Sequence, residues 1–189
     1  MLNVSNVARE CEVNRKTVEG YIEILRDLHL CFKIQTFRKR AKREMIKHPK
    51  LYIFDTGVYR SLRPGGPLDR PEEMEGPGLE GLVAQHLKAW IGYRNEGESL
   101  YFWRTRGGSE VDFVVYGDGG LWGFEVKRSS NLHRNDLRHL KSFGEDYPES
   151  DLYCLYGGKE KRKIDEILCV PVDEFLRQLD PDNDSPYQA

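Results

Sequence analysis

No run in this 189-residue chain is long and apolar enough to span a membrane, and no charged-then-apolar leader opens it, so neither a membrane-spanning nor a secreted class is indicated. Cysteine is sparse. Cys11, Cys31, Cys154 and Cys169 stand far apart among apolar neighbours, which argues against a zinc site or a disulfide framework and suits a reducing cytoplasm. The five histidines show no metal-ligand spacing, and His86 reads as a partly buried core histidine. No Gly-x-x-x-x-Gly-Lys-Ser/Thr loop occurs, so the chain has no ATP site of that type, and internal repeats are absent. What is present is ordinary for a soluble protein of one or two domains: 39% hydrophobic and 32% charged residues, enough to bury a core. The net charge of −2 conceals an uneven distribution.

The most informative segment runs from Asp112 to Glu125, with Lys127 two places on. Val111, Phe113 and Val115, then Trp122, Phe124 and Val126, mark one face of each of two strands, and Gly117-Asp118-Gly119-Gly120 supplies the turn. A two-residue loop at Asp118-Gly119 and a four-residue loop over 117–120 give the same register: Asp112 opposite Glu125, and Glu110 opposite Lys127. Opposed side chains lie about 4.5 to 5.5 Å apart at Cβ. Two carboxylates that close repel unless a cation joins them, and Mg²⁺ or Mn²⁺, bound through oxygen, fits that need. The competing reading is a solvated sheet face with a Glu110–Lys127 ion pair.

Upstream, Gly78 to Gly92 reads as a helix in which Val83, Ala84, Leu87 and Ile91 share a stripe with Glu80. A carboxylate there calls for a partner. Glu80, Asp112, Glu125 and Lys127, in that order, resemble the PD-(D/E)XK, or restriction-endonuclease-like, nuclease superfamily. The resemblance implies metal-assisted phosphodiester hydrolysis, with Asp112 and Glu125 as metal ligands, Glu80 an ancillary ligand, and Lys127 acting on the attacking water or the transition-state phosphate. Arg104 and Arg106, just ahead of the Asp112 strand, are candidate phosphate donors or plain surface arginines.

Between Lys33 and Lys50 lie eight basic residues against the single acid Glu44. Clustering of this kind is an electrostatic footprint for phosphate, or a solvated loop. Its surroundings favour the former. Ser5 can cap a short helix with Val7, Ala8 and Cys11 inward, and Arg15 to Leu28 carries Val18, Ile22, Leu25 and Leu28 at helical spacing. Leu30, Phe32 and Ile34 alternate as a strand, and Leu51 to Phe54 return as another. Helix, turn, helix and basic hairpin spell a small winged helix-turn-helix whose usual first helix is missing. Arg15, Lys16 and Thr17 would then open a recognition helix, while Arg38, Lys39, Arg40, Lys42 and Arg43 would form a phosphate-gripping wing.

Lys50-Leu51-Tyr52-Ile53-Phe54-Asp55-Thr56-Gly57, Tyr101-Phe102-Trp103-Arg104 and Gly108-Ser109-Glu110-Val111-Asp112-Phe113 are similar to phrases in the C-terminal half of a family of bacterial and archaeal AAA-type ATPases, whose tail is a domain of unknown function. The resemblance covers almost all of residues 1 to 179 and implies an ATPase module upstream. The expected organisation is a winged helix over 1–62, a proline-rich linker over 63–77, a nuclease-like α/β module with a mixed sheet flanked by helices over 78–179, and a disordered tail over 180–189. The functional expectation is a cytoplasmic, DNA-binding, Mg²⁺- or Mn²⁺-dependent deoxyribonuclease. Two alternatives stay open: an adaptor retaining an inactive nuclease fold, and a sequence-reading regulator whose second module forms a homo-oligomer.

Overall fold

The computed structural model describes residues 1–62 and 71–187, and among them the patterns above resolve into six α-helices and eight strands. All eight strands belong to one mixed sheet, in the order β2-β1-β3-β4-β5-β6-β8-β7.

Helices α1 (Val4–Glu10) and α2 (Arg15–Asp27) pack on each other. The α1 cap is Asn3, whose side chain accepts from Asn6 N; Ser5, the expected cap, lies inside the helix. Asn14 caps α2 by accepting from Thr17 N at 2.8 Å. Their joint core is small: Ala8, Val18 and Ile22 are buried, but Leu25 and Leu28, expected inward, are 37% and 61% exposed, and Cys11 is exposed too. Two short helices do not have enough surface to cover four turns of an apolar stripe.

Strands β1 (Cys31–Thr36) and β2 (Lys50–Ile53) pair antiparallel, Cys31 opposite Ile53 and Ile34 opposite Lys50. The far end of β1 then pairs in parallel with β3 (Ser99–Arg104), Gln35 beside Tyr101 and Thr36 beside Phe102. One sheet therefore runs through both of the expected units. Helix α3 (Thr56–Leu62) follows β2. Residues 63–70 of the expected linker lie outside the described residues, whereas 71–77 are helical, part of α4 (Pro71–Arg94). Proline at the first helical position costs nothing because its missing N–H would be unbonded anyway. Pro77 also sits within α4.

The central hairpin joins β4 (Glu110–Gly117) to β5 (Gly120–Lys127) through the two-residue turn Asp118-Gly119. Phe113, Val115, Trp122 and Phe124 pack against Val83, Ala84, Leu87 and Trp90 of α4. Val111 departs from expectation and joins the opposite cluster with Trp103, Val114, Leu140 and Phe143. The cause is a slip between β3 and β4: Tyr101 opposes Val114 but Trp103 opposes Val111, so β4 spends one extra residue there. Such a bulge re-aims the side chains beside it, and the residues beside it are Asp112 and Phe113.

Beyond β5, a 3₁₀ turn (Arg134–Leu137) leads into α5 (Arg138–Asp146); β6 (Asp151–Tyr156) and β8 (Ile167–Pro171) extend the sheet in parallel, and α6 (Val172–Gln178) closes it. A short edge strand, β7 (Arg162–Ile164), pairs antiparallel with β8 and had no signal in the sequence pattern. The expected disordered tail is placed through residue 187. Trp90 Nε1 donates to Asp180 O at 2.9 Å, and Tyr187, 3% exposed, stacks on Phe175 with its hydroxyl donating to Glu174. A polar composition hid one aromatic anchor.

Candidate active site

Lys50 begins β2, Glu80 lies in α4, and Glu110 and Asp112 begin β4. The three carboxylates converge on one atom of the lysine. The Lys50 ammonium is 2.7 Å from Glu110 Oε1, 3.0 Å from Glu80 Oε1 and 3.6 Å from Asp112 Oδ1. Tyr52, two residues along the same strand and so on the same face, donates its hydroxyl to Glu80. Glu80 thus turns inward, and a lysine stands between it and Asp112. Burial alone would lower the Lys50 pKa, but the three carboxylates outweigh that and raise it. The Tyr52 hydroxyl is raised by burial and by Glu80.

The other half of the site is the splayed end of the hairpin. Phe113 and Phe124 are the last opposed pair of the ladder, and Asp112 and Glu125 follow one residue beyond it. There the Asp112 carboxylate accepts a hydrogen bond from Val126 N at 2.9 Å. Glu125 is buried; its Oε1 receives Lys127 Nζ at 2.7 Å, and its Oε2 has no hydrogen-bond partner among the described residues. Burial, then the Glu80 charge, push Asp112 up to about 6, against the pull of Lys50 and the Val126 N–H. Burial, then the Asp112 charge, push Glu125 up to about 8, against Lys127. Both carboxylates are therefore held toward their neutral forms, first by burial and then by a neighbouring acid. Lys127, facing Glu125, is raised, although burial opposes it. The expected Glu110–Lys127 pair does not form: Glu110 binds Lys50 and Arg104, the latter at 2.8 Å, because the bulge re-aims the start of β4.

Among the described residues no group of three or more acidic, histidine or cysteine side chains is arranged to hold a metal. Two carboxylates, Asp112 and Glu125, remain as oxygen donors, the second with a buried oxygen to spare. A cleft of about 360 Å³ opens onto the cluster, lined by Lys50, Tyr52, Glu80 and Glu110 together with Tyr59 and Pro77.

The basic loop does not stand out as a free wing. Phe37 and Met45 anchor it in the core, and Met45 bridges to Thr105. Arg43 reaches Asp146 at 3.0 Å and Ser142 at 2.6 Å, Lys42 reaches the Glu145 carbonyl, and Lys39 lies 4.1 Å from the centre of the Tyr116 ring. Arg38 and Arg40 are exposed. Arg106 pairs with Glu44 at the surface, and Arg104 faces Glu110. On α2, Arg15 pairs with Glu19, Lys16 is exposed, and Thr17 is spent on the cap through its backbone. Lys50, Tyr52 and Glu110 are the site residues that sequence reasoning missed. Their signal was Lys-x-Tyr alternating with Leu51 and Ile53, which puts both polar groups on one strand face.

Fold and site together define an α/β protein with a mixed eight-stranded sheet and a half-buried charged cluster where its central hairpin opens. The chain belongs to the family described as Domain of unknown function (DUF4143), which matches residues 75–175. Residues 1–69 match a second, Domain of unknown function (DUF8612). The chain is similar to "Uncharacterized protein Rv2008c" of Mycobacterium tuberculosis and "Uncharacterized protein Mb2031c" of Mycobacterium bovis, 29% identical to each over 177 residues, or 91% of this chain. It spans 38% of the length of those relatives. No solved structure matches it. No helix among the described residues is long and apolar enough to cross a membrane.

Proposed function

We propose that this chain is a divalent-metal-dependent deoxyribonuclease module with a restriction-endonuclease-like core, coupled to a DNA-contacting winged helix-turn-helix and working within a longer protein that carries an AAA-type ATPase. The observation that carries the reading is Asp112 held on the Val126 N–H, beside Glu125 and close enough for the two charges to act on each other, with an unpartnered Glu125 oxygen and Lys127 alongside. Mg²⁺ needs only one or two protein carboxylates when water and substrate phosphate complete its shell, so this donor pair fits it. Bound there, the ion would supply a Lewis acid for the phosphoryl oxygen and an activated water. Asp112 is held in place by the Val126 N–H, which a phosphodiester does not displace, and Lys127 holds Glu125 until substrate arrives. The Lys127 ammonium can leave Glu125 for the phosphate, where it offsets charge developing in the transition state. Arg104, held by Glu110, and the exposed Arg38 and Arg40 are the remaining phosphate donors on this reading.

Thermal unfolding with Mg²⁺ or Mn²⁺, beside cleavage assays on single-stranded, duplex and branched DNA, tests it. Metal should stabilise the chain by about 2.7 kcal/mol at a hundredfold excess over its dissociation constant. Asp112→Ala should remove that gain, and Lys127→Ala should suppress cutting while leaving metal binding. If neither stabilisation nor cleavage occurs, in the chain or in the longer protein, the enzyme reading fails. A second reading, an adaptor with an inactive nuclease fold, is favoured by the ammonium of Lys50 on Asp112.

A further inference from the structure

The site contains two lysines, and the nuclease reading uses one. Lys50 has a side chain only 11% exposed, and it contacts three carboxylates from two separate elements, while Asp112 is also held by Val126 N. Its three contacts are unequal. Glu110 and Glu80 are within direct hydrogen-bond range, Glu80 is further fastened by Tyr52, and Asp112 is the longest at 3.6 Å. The Asp112 contact is therefore the one the ammonium can give up while its two stronger partners hold it. The 360 Å³ cleft, which Lys50, Glu80 and Glu110 line, is the adjacent space into which it can withdraw.

We infer that Lys50 is the built-in counter-cation of this site and controls entry of the divalent ion: its ammonium bridges Glu80, Glu110 and Asp112 in the metal-free protein and must withdraw from Asp112 for that carboxylate to take a metal. The inference rests on the proposed metal site at Asp112 and Glu125. Two cations sharing one carboxylate in a poorly solvated pocket repel each other strongly. Metal affinity is then set by a competition, and a phosphate entering the cleft, by drawing the ammonium toward itself, would raise it. Lys50 is on this account a positioning residue that couples substrate to metal, and the basic cluster between Lys33 and Lys50 loses its last member to the site.

Calorimetric titration with Mn²⁺ tests the competition. Lys50→Met takes the ammonium from all three acids, leaving only Glu110 with a cation, Arg104, and should bind Mn²⁺ at least tenfold more tightly than the wild type, whereas Lys50→Arg should stay within a few-fold of it. Equal or weaker binding by the Met variant would overturn the inference. If Lys50→Met does not fold, the wild-type protein answers alone: the ¹⁵N signal of the Lys50 ammonium should shift on saturation with Mg²⁺, and should not shift in Asp112→Ala. A signal unmoved at saturation refutes the displacement. The outcomes separate the two ideas. Asp112-dependent binding in the wild type that Lys50→Met does not tighten sinks this inference and spares the nuclease reading. Binding only after Lys50→Met does the reverse, and binding in neither sinks both.

Discussion

Glu125→Gln should change how stability responds to pH in the metal-free protein. Burial and the neighbouring Asp112 push Glu125 up to about 8, and burial with Glu80 pushes Asp112 up to about 6. An unfolded glutamate gives up its proton near pH ~4.3. Between that value and about 8 the folded chain keeps a proton that the unfolded chain has lost. The contribution of this one group to stability is therefore largest at low pH and falls as pH rises through this window, by up to about 1.4 kcal/mol per pH unit. From pH ~5.5 to ~7.5 that amounts to about 2 to 3 kcal/mol, or roughly 5 to 10 °C in Tm for a chain of this size. Glutamine has the same shape and no ionisation, so its melting curve should be flatter by that amount, and the variant should be the more stable protein at neutral pH. Asp112 acts in the same direction but only below about 6. His139, lowered by burial and Arg138, acts in the opposite direction near its own range; it is present in both proteins and drops out of the difference. Melts in EDTA across this range measure the effect. Parallel curves for the two proteins would refute the raised Glu125 pKa that burial and the Asp112 charge are held to produce.

Removing an acid from a bare acidic cluster would relieve repulsion, but Glu80→Ala strips a partner from both Lys50 and Tyr52, so it should cost about 1 to 3 kcal/mol in urea unfolding; an unchanged midpoint would show that those interactions contribute nothing. Tyr187→Ala should cost about 3 kcal/mol or more by the same measurement, because the ring is buried against Phe175 and Tyr153, whereas a free tail would make it silent. Arg38→Gln with Arg40→Gln should weaken DNA binding and reduce the slope of log affinity against log salt by about 0.9 for each phosphate no longer neutralised. Arg43→Gln should instead lower stability with little change in that slope, because its guanidinium faces Asp146 and Trp103.

The hairpin was legible because its turn and its period agreed: Gly-Asp-Gly-Gly between two alternating runs fixes one register whichever loop forms, and Phe113 does oppose Phe124. The inward glutamate of α4 was legible for the same reason, a 3.6-residue period with one polar intruder. The bulge was not. A single extra residue in β4 leaves no mark on composition, yet it sends Val111 to the far face and takes Glu110 from Lys127 to Lys50. Nor did local pattern reveal that β1 continues into β3, since Gln35–Tyr101 and Thr36–Phe102 are pairings across more than sixty residues of chain. Averaging hides the tail's anchor: polar and small neighbours outweigh Tyr187 in composition but not in packing.

Lys50 shows how charge counting fails at the end of a basic run. From Lys33 to Lys50 the sequence offers a row of like charges, and a row of charges does not say where each side chain points. Strand geometry does. Lys50 is the first residue of β2, so its side chain shares a face with Tyr52, and that face meets α4 where Glu80 interrupts the apolar stripe. Arg43, seven residues earlier, is drawn to α5 by Asp146, while Arg38 and Arg40 remain outward and exposed. The cluster therefore divides by the position of nearby carboxylates and not by its own composition. A buried lysine is tolerated only where opposite charge offsets its desolvation, and a carboxylate group this dense is tolerated only where a cation joins it. The two requirements meet at one atom, Lys50 Nζ, and leave the unpartnered Glu125 oxygen as the position still short of positive charge.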